Sequence, residues 1–258
     1  MRRFEQAWRL VWTGMAFVFF GVGGLILTLT AFPLINLLII DREKRAVVAQ
    51  RLVHWAFRLH VFYMTSFGVI GVKMVGTEKL AADRGVLVVS NHPSLLDVVL
   101  LIAAMKRAQC IVKYQIWENP FMRGVVRAAG YIRNDDDPEK LMEDCAAELV
   151  RGQNIVIFPE GSRTVPGVPM KLQRGVANIA IRSGAPIRLI TIDCVPPSLM
   201  KGQKWYQIPT VKSQFTITVH GLIDISRFMG DSNPSVAARH LNAYLVEQLN
   251  GGPRVESA

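Results

Sequence analysis

Cysteine is scarce in this sequence, and its placement limits what the chain can form. The three cysteines, Cys110, Cys145 and Cys194, are odd in number and far apart, and no CxxC pair occurs. These spacings give no disulfide framework, so we expect a reducing compartment and three thiols packed as small core residues. The sequence also contains neither an internal repeat nor a low-complexity segment.

Charged residues are absent from one long stretch, Leu10 to Ile40, which is 31 residues long. As one continuous helix it would measure roughly 46 Å, whereas the hydrocarbon core of a bilayer is about 30 Å thick. Possible breaks lie at the glycine cluster Gly21, Gly23 and Gly24 and at Pro33. The stretch therefore predicts a membrane anchor. It is either one tilted or kinked spanning helix or two short helices that enter and leave the same face.

Basic residues flank the uncharged stretch on both sides. They are Arg2, Arg3 and Arg9 before it and Arg42, Lys44 and Arg45 after it. The positive-inside tendency then favours both ends on the cytoplasmic side, and with it the two-helix form. A cleaved signal peptide fits poorly because the stretch is too long and lacks a small-residue cleavage site. We expect the inner, cytoplasmic membrane, with the globular part and its active site facing the cytoplasm.

The overall charge is strongly positive. The formal net charge is +10, half of the residues are hydrophobic, and the mean hydropathy is +0.25. A basic chain suits anionic partners such as nucleic acid, anionic lipid headgroups or phosphorylated substrates. Because the basic residues are scattered and no nucleic-acid-binding module is recognisable, nucleic acid is not expected as a partner. Membrane lipid and phosphate-bearing ligands are the expected ones.

The pattern along the chain changes near residue 70. Leu52 to Val69 mixes aromatic residues with His54, Arg58 and His60, which is typical of an amphipathic helix at a membrane interface or of an ordinary domain helix. We predict an N-terminal membrane-anchoring helical segment at 1–70, an α/β domain at 71–252 and a flexible tail at 253–258.

Strands and helices alternate after about Val72. Short apolar runs rich in β-branched residues predict strands, and periodic segments with capping residues predict helices. The predicted strands are 86–89, 110–112, 155–158 and 187–192, with a half-buried strand around Phe215, Ile217 and Val219. The predicted helices are 93–105, 138–151 with Asp137 as its N-cap, 172–182 and 234–250. This alternation predicts an α/β fold in which helices cover a mostly parallel or mixed sheet.

His92 follows the 86–89 strand, in the segment Asn91-His92-Pro93-Ser94-Leu95-Leu96-Asp97. Pro93 disfavours helical geometry at His92 and suits the first position of a helix. We therefore expect His92 at a strand-to-helix turn, where active sites collect in α/β folds. From there its ring can fold back towards Asp97, which would fix the tautomer and leave the other ring nitrogen as a general base. The alternative interpretation of this His-x4-Asp spacing is a lone histidine that caps a helix.

A second polar turn, Phe158-Pro159-Glu160-Gly161-Ser162-Arg163, begins on the last residue of the predicted 155–158 strand. Arginine is suited to bidentate phosphate recognition, and glycine lets the backbone approach a ligand closely. Taken alone, the segment could equally be a strand-end turn with a surface arginine.

Together the two segments resemble the 1-acylglycerol-3-phosphate acyltransferase family of lysophospholipid acyltransferases. Asn91, His92 and Asp97 match its Asn-His-x4-Asp signature. Phe158 to Arg163 match its Phe-Pro-Glu-Gly-Thr-Arg signature, with Ser162 in place of threonine. The residues that fit a second block are Lys113, Pro120, Gly124, Gly130 and Arg133. Pro186 and Ile187 open a fourth block, where Arg188-Leu189-Ile190 stand in place of the usual Val-Pro-Val. The resemblance covers about residues 72–225.

The resemblance implies a membrane-bound enzyme that transfers a fatty acyl group from acyl-CoA or acyl carrier protein to the free hydroxyl of a lysophospholipid. The first-choice acceptor is 1-acyl-sn-glycerol-3-phosphate, which would give phosphatidic acid. Another lysophospholipid, an aminolipid or a specialised lipid stays open. His92 would be the general base and Asp97 its orienting partner. No metal is expected, and no cofactor besides the acyl donor as co-substrate.

The resemblance also implies the residues that hold the acceptor. They are Glu160, Gly161, Ser162 and Arg163, with Arg163 on the phosphate. Lys113 and Arg133 are further candidate phosphate ligands, or else solvated surface charges. The connection Pro196 to Ser213, which carries Trp205 and Tyr206 beside lysines, predicts contact with lipid or acyl donor. An ordinary loop folded onto the domain is the alternative.

Two other classes of protein fit less well. A membrane-binding protein that had lost catalysis should lack His92, Asp97 or Glu160, and all three are present. A lipid hydrolase would need a Gly-x-Ser-x-Gly nucleophile elbow, which the sequence does not contain. In the acidic run at 135–137, Asp137 is explained as a helix cap, and we interpret Asp135 and Asp136 as solvated loop.

Overall fold

A computed structural model describes residues 2–119, 122–134, 137–165, 167–230 and 233–251 of the chain. The predicted tail at 253–258, Pro120 of the second block, and Asp135 and Asp136 of the acidic run lie outside these residues. The helices are α1 (Arg2–Leu29), α2 (Ala31–Leu38), α3 (Arg42–Ser66), α4 (Glu78–Ala82), α5 (Asp97–Ala104), α6 (Tyr114–Trp117), α7 (Arg123–Ala128), α8 (Pro138–Val150), α9 (Gly175–Ser183) and α10 (Pro234–Leu249). The strands are β1 (Ile70–Val75), β2 (Leu87–Ser90), β3 (Gln109–Lys113), β4 (Ile132–Asn134), β5 (Ile155–Ile157), β6 (Ile187–Val195) and β7 (Ser213–Ile223).

The seven strands form one mixed sheet in the order β1-β7-β6-β2-β5-β3-β4. Neighbouring strands are parallel except β6 and β7, which are antiparallel. The predicted α/β class is therefore confirmed. Because β2, β3, β4 and β5 all run in one direction, the segments that follow them leave the sheet at one edge, called the carboxyl edge below.

Hydrophobic side chains cover both faces of the sheet. All four residues of β2 are buried, as expected for a central parallel strand with helices on both sides. Leu87 and Val89 belong to a core cluster that includes Cys145 of α8, Ala180 of α9 and Leu241 of α10. Val88 belongs to a second cluster, with Leu100 of α5 and Met64 of α3. The period-2 alternation of strand side chains thus divides β2 between two cores.

The uncharged N-terminal stretch forms two helices of unequal length. Helix α1 continues through Gly21, Gly23 and Gly24, so the expected break at the glycines is wrong, and the break lies at Thr30. Pro33 lies in the first turn of α2, where a missing backbone N–H costs no helical hydrogen bond. The region Arg3–Leu38 is long and apolar enough to cross a membrane, and little of its most apolar part is buried in the protein. It is a candidate membrane anchor.

Helix α3 links this anchor to the sheet. Its start is capped by Asp41, which accepts hydrogen bonds from the backbone N–H groups of Glu43 and Lys44. One face buries Val53 and Met64 against the domain, whereas the opposite face exposes Trp55, Leu59 and Phe62. The sequence left open an ordinary domain helix or an amphipathic helix at a membrane interface. The helix packs on the domain as the first would, and it also presents an exposed apolar stripe.

Two predicted helices begin later than expected. The helix predicted from Pro93 begins at Asp97, because the backbone N–H groups of Ser94 and Leu95 bond to partners outside the helical pattern. The Ser94 N–H bonds to the Asp97 carboxylate and the Leu95 N–H to the carbonyl of Leu199. The helix predicted from Leu172 begins at Gly175.

The predicted cap of α8 is confirmed, since the Asp137 side chain accepts hydrogen bonds from the backbone N–H groups of Glu139 and Lys140. Strands β1 and β4 were not predicted.

The unusual Arg188 in the fourth block has a structural explanation. Arg188 is buried in β6, where its guanidinium forms a two-pronged ion pair with the buried carboxylate of Asp83, at 2.5 and 2.8 Å. A third hydrogen bond runs from Arg188 to the carbonyl of His220. A buried arginine of this kind needs a fully bonded partner, and Asp83 supplies it just before β2.

Candidate active site

His92 lies in the loop between β2 and α5, at the carboxyl edge. Its Nδ1 is 2.8 Å from Oδ2 of Asp97, the first residue of α5. The side chain of Asp97 is fully buried, whereas 17% of the His92 side chain is exposed. The structure thus brings together the two residues predicted as a pair. A carboxylate on Nδ1 holds the tautomer in which the proton is on Nδ1, so Nε2 carries the free lone pair.

Two donors share one oxygen of the Asp97 carboxylate. The same Oδ2 also accepts a 2.7 Å hydrogen bond from the Ser94 backbone N–H. Burial raises the pKa of Asp97 above its ordinary value, while hydrogen bonds from His92 and Ser94 act in the opposite direction. Burial is the largest of these influences, so the ionised carboxylate is less stable here than in an unfolded chain.

The loop after β5 comes directly against the His92 loop. Oε1 of Glu160 accepts hydrogen bonds from the backbone N–H of His92, at 3.0 Å, and from the hydroxyl of Thr164, at 2.7 Å. The N–H of Thr164 in turn bonds to the carbonyl of His92, and the ring of Phe158 stacks on the imidazole at 4.2 Å between centroids. Glu160 therefore fixes the backbone of the histidine loop.

Sequence reasoning missed Thr164 as part of this site. Thr164 follows the six-residue motif directly, but its residue type and spacing carry no signal, and its role is visible only from its bonds to His92 and Glu160. The histidine loop is also tied to the sheet, since the Asn91 side chain bonds to both backbone groups of Ile192 in β6.

Arg163 and Ser162 face the connection between β6 and β7. Nη1 of Arg163 donates to the carbonyls of Leu199 and Met200, at 2.8 and 2.9 Å, and Nζ of Lys201 lies 3.4 Å from the Ser162 hydroxyl. Arg163 therefore fastens this connection beside His92, in addition to any contact with a ligand. The Ser94 hydroxyl bonds to Ser198 of the same connection.

Gly161 occupies a conformation that suits its residue type. Its φ of +65° lies in the left-handed region, and a Cβ there would come within 2.4 Å of the side-chain amide of Gln173. A side chain at this position would therefore strain the backbone and displace Gln173.

Lys113 and Arg133 lie farther out along the same edge. Lys113 ends β3, and Arg133 is in β4, where its guanidinium lies 5.2 Å from the centre of the Tyr114 ring. Strands lie about 4.8 Å apart in a sheet, so β3 and β4 are roughly 10 and 14 Å from β2. The structure places both cations on the carboxyl edge, although away from the His92–Asp97 pair.

An apolar cavity of about 340 Å³ borders the site. Leu95 and Leu96, which lie between His92 and Asp97, form part of its wall. Other walls come from α1, from α3 and from the β6–β7 connection, through Ala16, Met64 and Leu199 respectively. The connection is itself held on α1, because Nη2 of Arg9 donates to the carbonyls of Pro209 and Thr210. The candidate membrane anchor thus helps to enclose a hydrophobic space next to His92.

Comparison with known proteins gives this arrangement a class. Residues 71–193 match the acyltransferase family model. A crystal structure described as the 1-acyl-sn-glycerophosphate (LPA) acyltransferase PlsC from Thermotoga maritima has the same fold, with a TM-score of 0.65 and 19% sequence identity, over 99% of this chain and 100% of that one. The solved structure shows the shared fold, and the matched segment supports an acyltransferase.

Two relatives are named for a particular acyl acceptor. A chloroplastic 1-acyl-sn-glycerol-3-phosphate acyltransferase of Brassica napus is 28% identical over 65% of this chain and 48% of its own length. A 1-acyl-sn-glycerol-3-phosphate acyltransferase of Helicobacter pylori is 36% identical over 38% of this chain and 43% of its own length. The chain spans about half the length of these relatives. These similarities support the resemblance to 1-acylglycerol-3-phosphate acyltransferases that was drawn from the motifs.

Replacing Asp97 by asparagine should separate activity from stability. We expect turnover to fall on the order of 10²- to 10⁴-fold, because the imidazole loses its anionic partner. The pKa of Asp97 is raised in the fold, so its charge costs stability at neutral pH. Asp97→Asn should therefore unfold at an equal or higher temperature at neutral pH, and its advantage should vanish as the pH falls through the raised pKa.

Circular dichroism melts of the detergent-solubilised chain across the pH range, together with an acyl-transfer assay, measure both effects. Asp193→Asn, which makes the same charge change at an exposed position of β6, is the control. A variant that melted well below the wild type at neutral pH would contradict the assignment of Asp97 as a destabilising charge.

Proposed function

We propose that this protein transfers a fatty acyl group from a thioester donor, acyl-CoA or acyl carrier protein, to the free hydroxyl of a lysophospholipid. The observation that carries the proposal is the 2.8 Å contact between His92 Nδ1 and Asp97 at the border of an apolar cavity. The proposed acceptor is 1-acyl-sn-glycerol-3-phosphate, because the matched relatives carry that substrate in their names. The product is then phosphatidic acid.

In the proposed reaction, the neutral imidazole of His92 acts as the base. Nε2 takes the proton from the acceptor hydroxyl while its oxygen attacks the thioester carbonyl carbon, so a new C–O bond forms. The tetrahedral intermediate then breaks its C–S bond, and the leaving thiolate takes the proton from the imidazolium. Asp97 stabilises the imidazolium between these steps. The acceptor hydroxyl holds the place that a serine holds in a hydrolase, so no acyl-enzyme is formed.

The apolar cavity suits the fatty acyl chain of the donor. Transfer of each buried methylene from water is worth about 0.8 kcal/mol, so an enclosed hydrophobic space beside the base favours a long acyl chain over a short polar one. Because Leu95 and Leu96 belong both to the cavity wall and to the histidine loop, a chain bound there would bring its thioester carbon close to His92.

The acceptor phosphate is proposed to lie at Arg163, with Glu160, Gly161 and Ser162 around it and with Lys113 and Arg133 farther along the edge. Nη1 of Arg163 is used by the carbonyls of Leu199 and Met200, so the acceptor phosphate would pair with the remaining N–H groups of the guanidinium. The membrane anchor at Arg3–Leu38 would keep the site near the bilayer surface. We propose the cytoplasmic membrane, with the site on the cytoplasmic side, where thioester donors are made.

Replacing His92 by alanine tests the proposed base. We expect turnover to fall about 10²- to 10⁴-fold, the usual contribution of general-base catalysis, with an unchanged circular dichroism spectrum. Product formation from lysophosphatidate and a radiolabelled acyl donor measures the loss. His240→Ala on α10, outside the site, is the matched control and should keep full activity. A purified His92→Ala protein with normal turnover would exclude the proposed mechanism.

Replacing Arg163 by alanine tests the phosphate contact. A lost hydrogen bond to a charged group is worth about 1.5–3 kcal/mol, so the KM for lysophosphatidate should rise on the order of 10- to 100-fold. The KM for a monoacylglycerol, which has no phosphate, separates this contact from the structural role of Arg163 in holding the β6–β7 connection. An equal effect on both acceptors would assign Arg163 a structural role alone. Arg174→Ala, at an exposed arginine, is the control.

Filling the cavity tests the acyl-chain assignment. Ala16 of α1 is buried and lines the cavity, so Ala16→Leu should shift the preference among donors towards shorter acyl chains. Competition between donors of different length, scored by mass spectrometry of the product, measures the shift. Val18→Phe adds bulk at an exposed position of the same helix and should leave the preference unchanged. The assignment fails if both variants keep the wild-type preference.

A further inference from the structure

A second cavity, of about 330 Å³, lies at the edge of the sheet opposite to the carboxyl edge. Its walls include residues that come just before three parallel strands: Arg84 before β2, Arg107 before β3 and Asn154 before β5. Strand β2 is four residues long, which corresponds to about 13 Å. The cavity is therefore separated from His92 by the length of the strands and is not part of the site described above.

Positive charge lines this second cavity, called the basic cavity below. Its cations are Arg51 of α3, Arg84, and Lys106 and Arg107 of the α5–β3 loop, and no acidic side chain lines it among the described residues. The nearest carboxylate in sequence, Asp83, bonds through both oxygens to Arg188 instead. Within the described parts of the chain, no carboxylate forms an ion pair with Arg51, Lys106 or Arg107.

The walls of the basic cavity are held in place by other contacts. Nη1 of Arg84 donates to the carbonyls of Ala81 and Asp83, at 3.0 and 2.7 Å. The side chain of Asn154 bonds to the carbonyl of Asp83 and to the N–H of Val86, which joins the β5 and β2 loops. A concave site with one sign of charge concentrates the electrostatic potential, and the mutual repulsion of its cations falls when an anion binds.

We propose that the basic cavity binds a phosphate group, as a site separate from the acyl-transfer reaction. Arginine guanidinium groups pair with phosphate oxygens in a bidentate manner, and a lysine adds a point charge. The phosphate could belong to a phospholipid headgroup or to a soluble phosphate compound. Arg51 lies on α3 one turn before the exposed Trp55, so a headgroup can reach the cavity if the apolar stripe of α3 rests on the bilayer.

Protection of Lys106 from chemical modification reports on this site directly. The full chain is placed in phosphatidylcholine nanodiscs, labelled with an amine-reactive reagent and analysed by peptide mass spectrometry, with Lys73 on β1, an exposed lysine outside the cavity, as the internal reference. In one arm inorganic phosphate is compared with chloride at equal ionic strength. In the other, nanodiscs with phosphatidic acid are compared with nanodiscs without it.

We expect labelling of Lys106 to slow by about tenfold when phosphate is present at about ten times its Kd, with no change at Lys73. The variant Arg51→Gln/Arg107→Gln should lose this protection, whereas Arg174→Gln/Arg239→Gln, with the same charge change outside the cavity, should keep it. Protection in the soluble arm supports a site for free phosphate compounds, and protection in the lipid arm alone supports a headgroup site.

Several results would overturn the proposal. One is the absence of protection in both arms, and another is equal slowing of Lys73 and Lys106, which is the signature of general charge screening. Protection that survives in Arg51→Gln/Arg107→Gln would likewise exclude the basic cavity as its source. None of these results depends on acyl transfer, so a failure here leaves the proposed function untouched.

Discussion

The parallel pairing of β2 with β5 on one side and with β6 on the other organises the candidate site. It brings the loop after β2 and the loop after β5 to one edge of the sheet, although His92 and Glu160 lie 68 residues apart in the chain. Because the two faces of β2 pack in separate cores, a slip by one residue would move each side chain into the wrong core and disrupt the packing of both. The register thus fixes where His92 leaves the sheet, and Glu160 and Asn91 secure the loop.

A buried carboxylate and an apolar cavity lie side by side at this edge of the sheet. The Asp97 carboxylate is buried although its burial raises its pKa, and it lies 2.8 Å from Nδ1 of the His92 imidazole. The apolar cavity beside it is closed partly by α1, the candidate membrane helix, and partly by the β6–β7 connection that Arg9 and Arg163 hold. The N-terminal segment is therefore more than a tether, since it supplies a wall of the proposed acyl-chain site.

Much of the fold could be predicted from local pattern. The short β-branched runs gave β2, β3, β5 and β6 to within a few residues, and the Asp137-Pro138 cap located the start of α8. The start of α5 could not be predicted, because Ser94 and Leu95 are held out of the helix by Asp97 and by Leu199, the latter 104 residues away. Short strands such as β4 owe their existence to pairing, since three residues carry too little pattern to identify them.

The residues of the candidate site could be predicted from local sequence, since a histidine and an aspartate five residues apart after a buried strand, and a Glu-Gly-Ser-Arg turn after another, are local signals. The candidate membrane anchor could be predicted in the same way, because the capacity to cross a membrane depends on composition and length. Four features are visible only in the three-dimensional structure: the contacts of Thr164, the bonds of Arg163 to the β6–β7 connection, the pairing of Arg188 with Asp83 and the grouping of cations in the basic cavity. Each of these joins distant parts of the chain, and such contacts follow from strand order and loop packing, which no local pattern encodes.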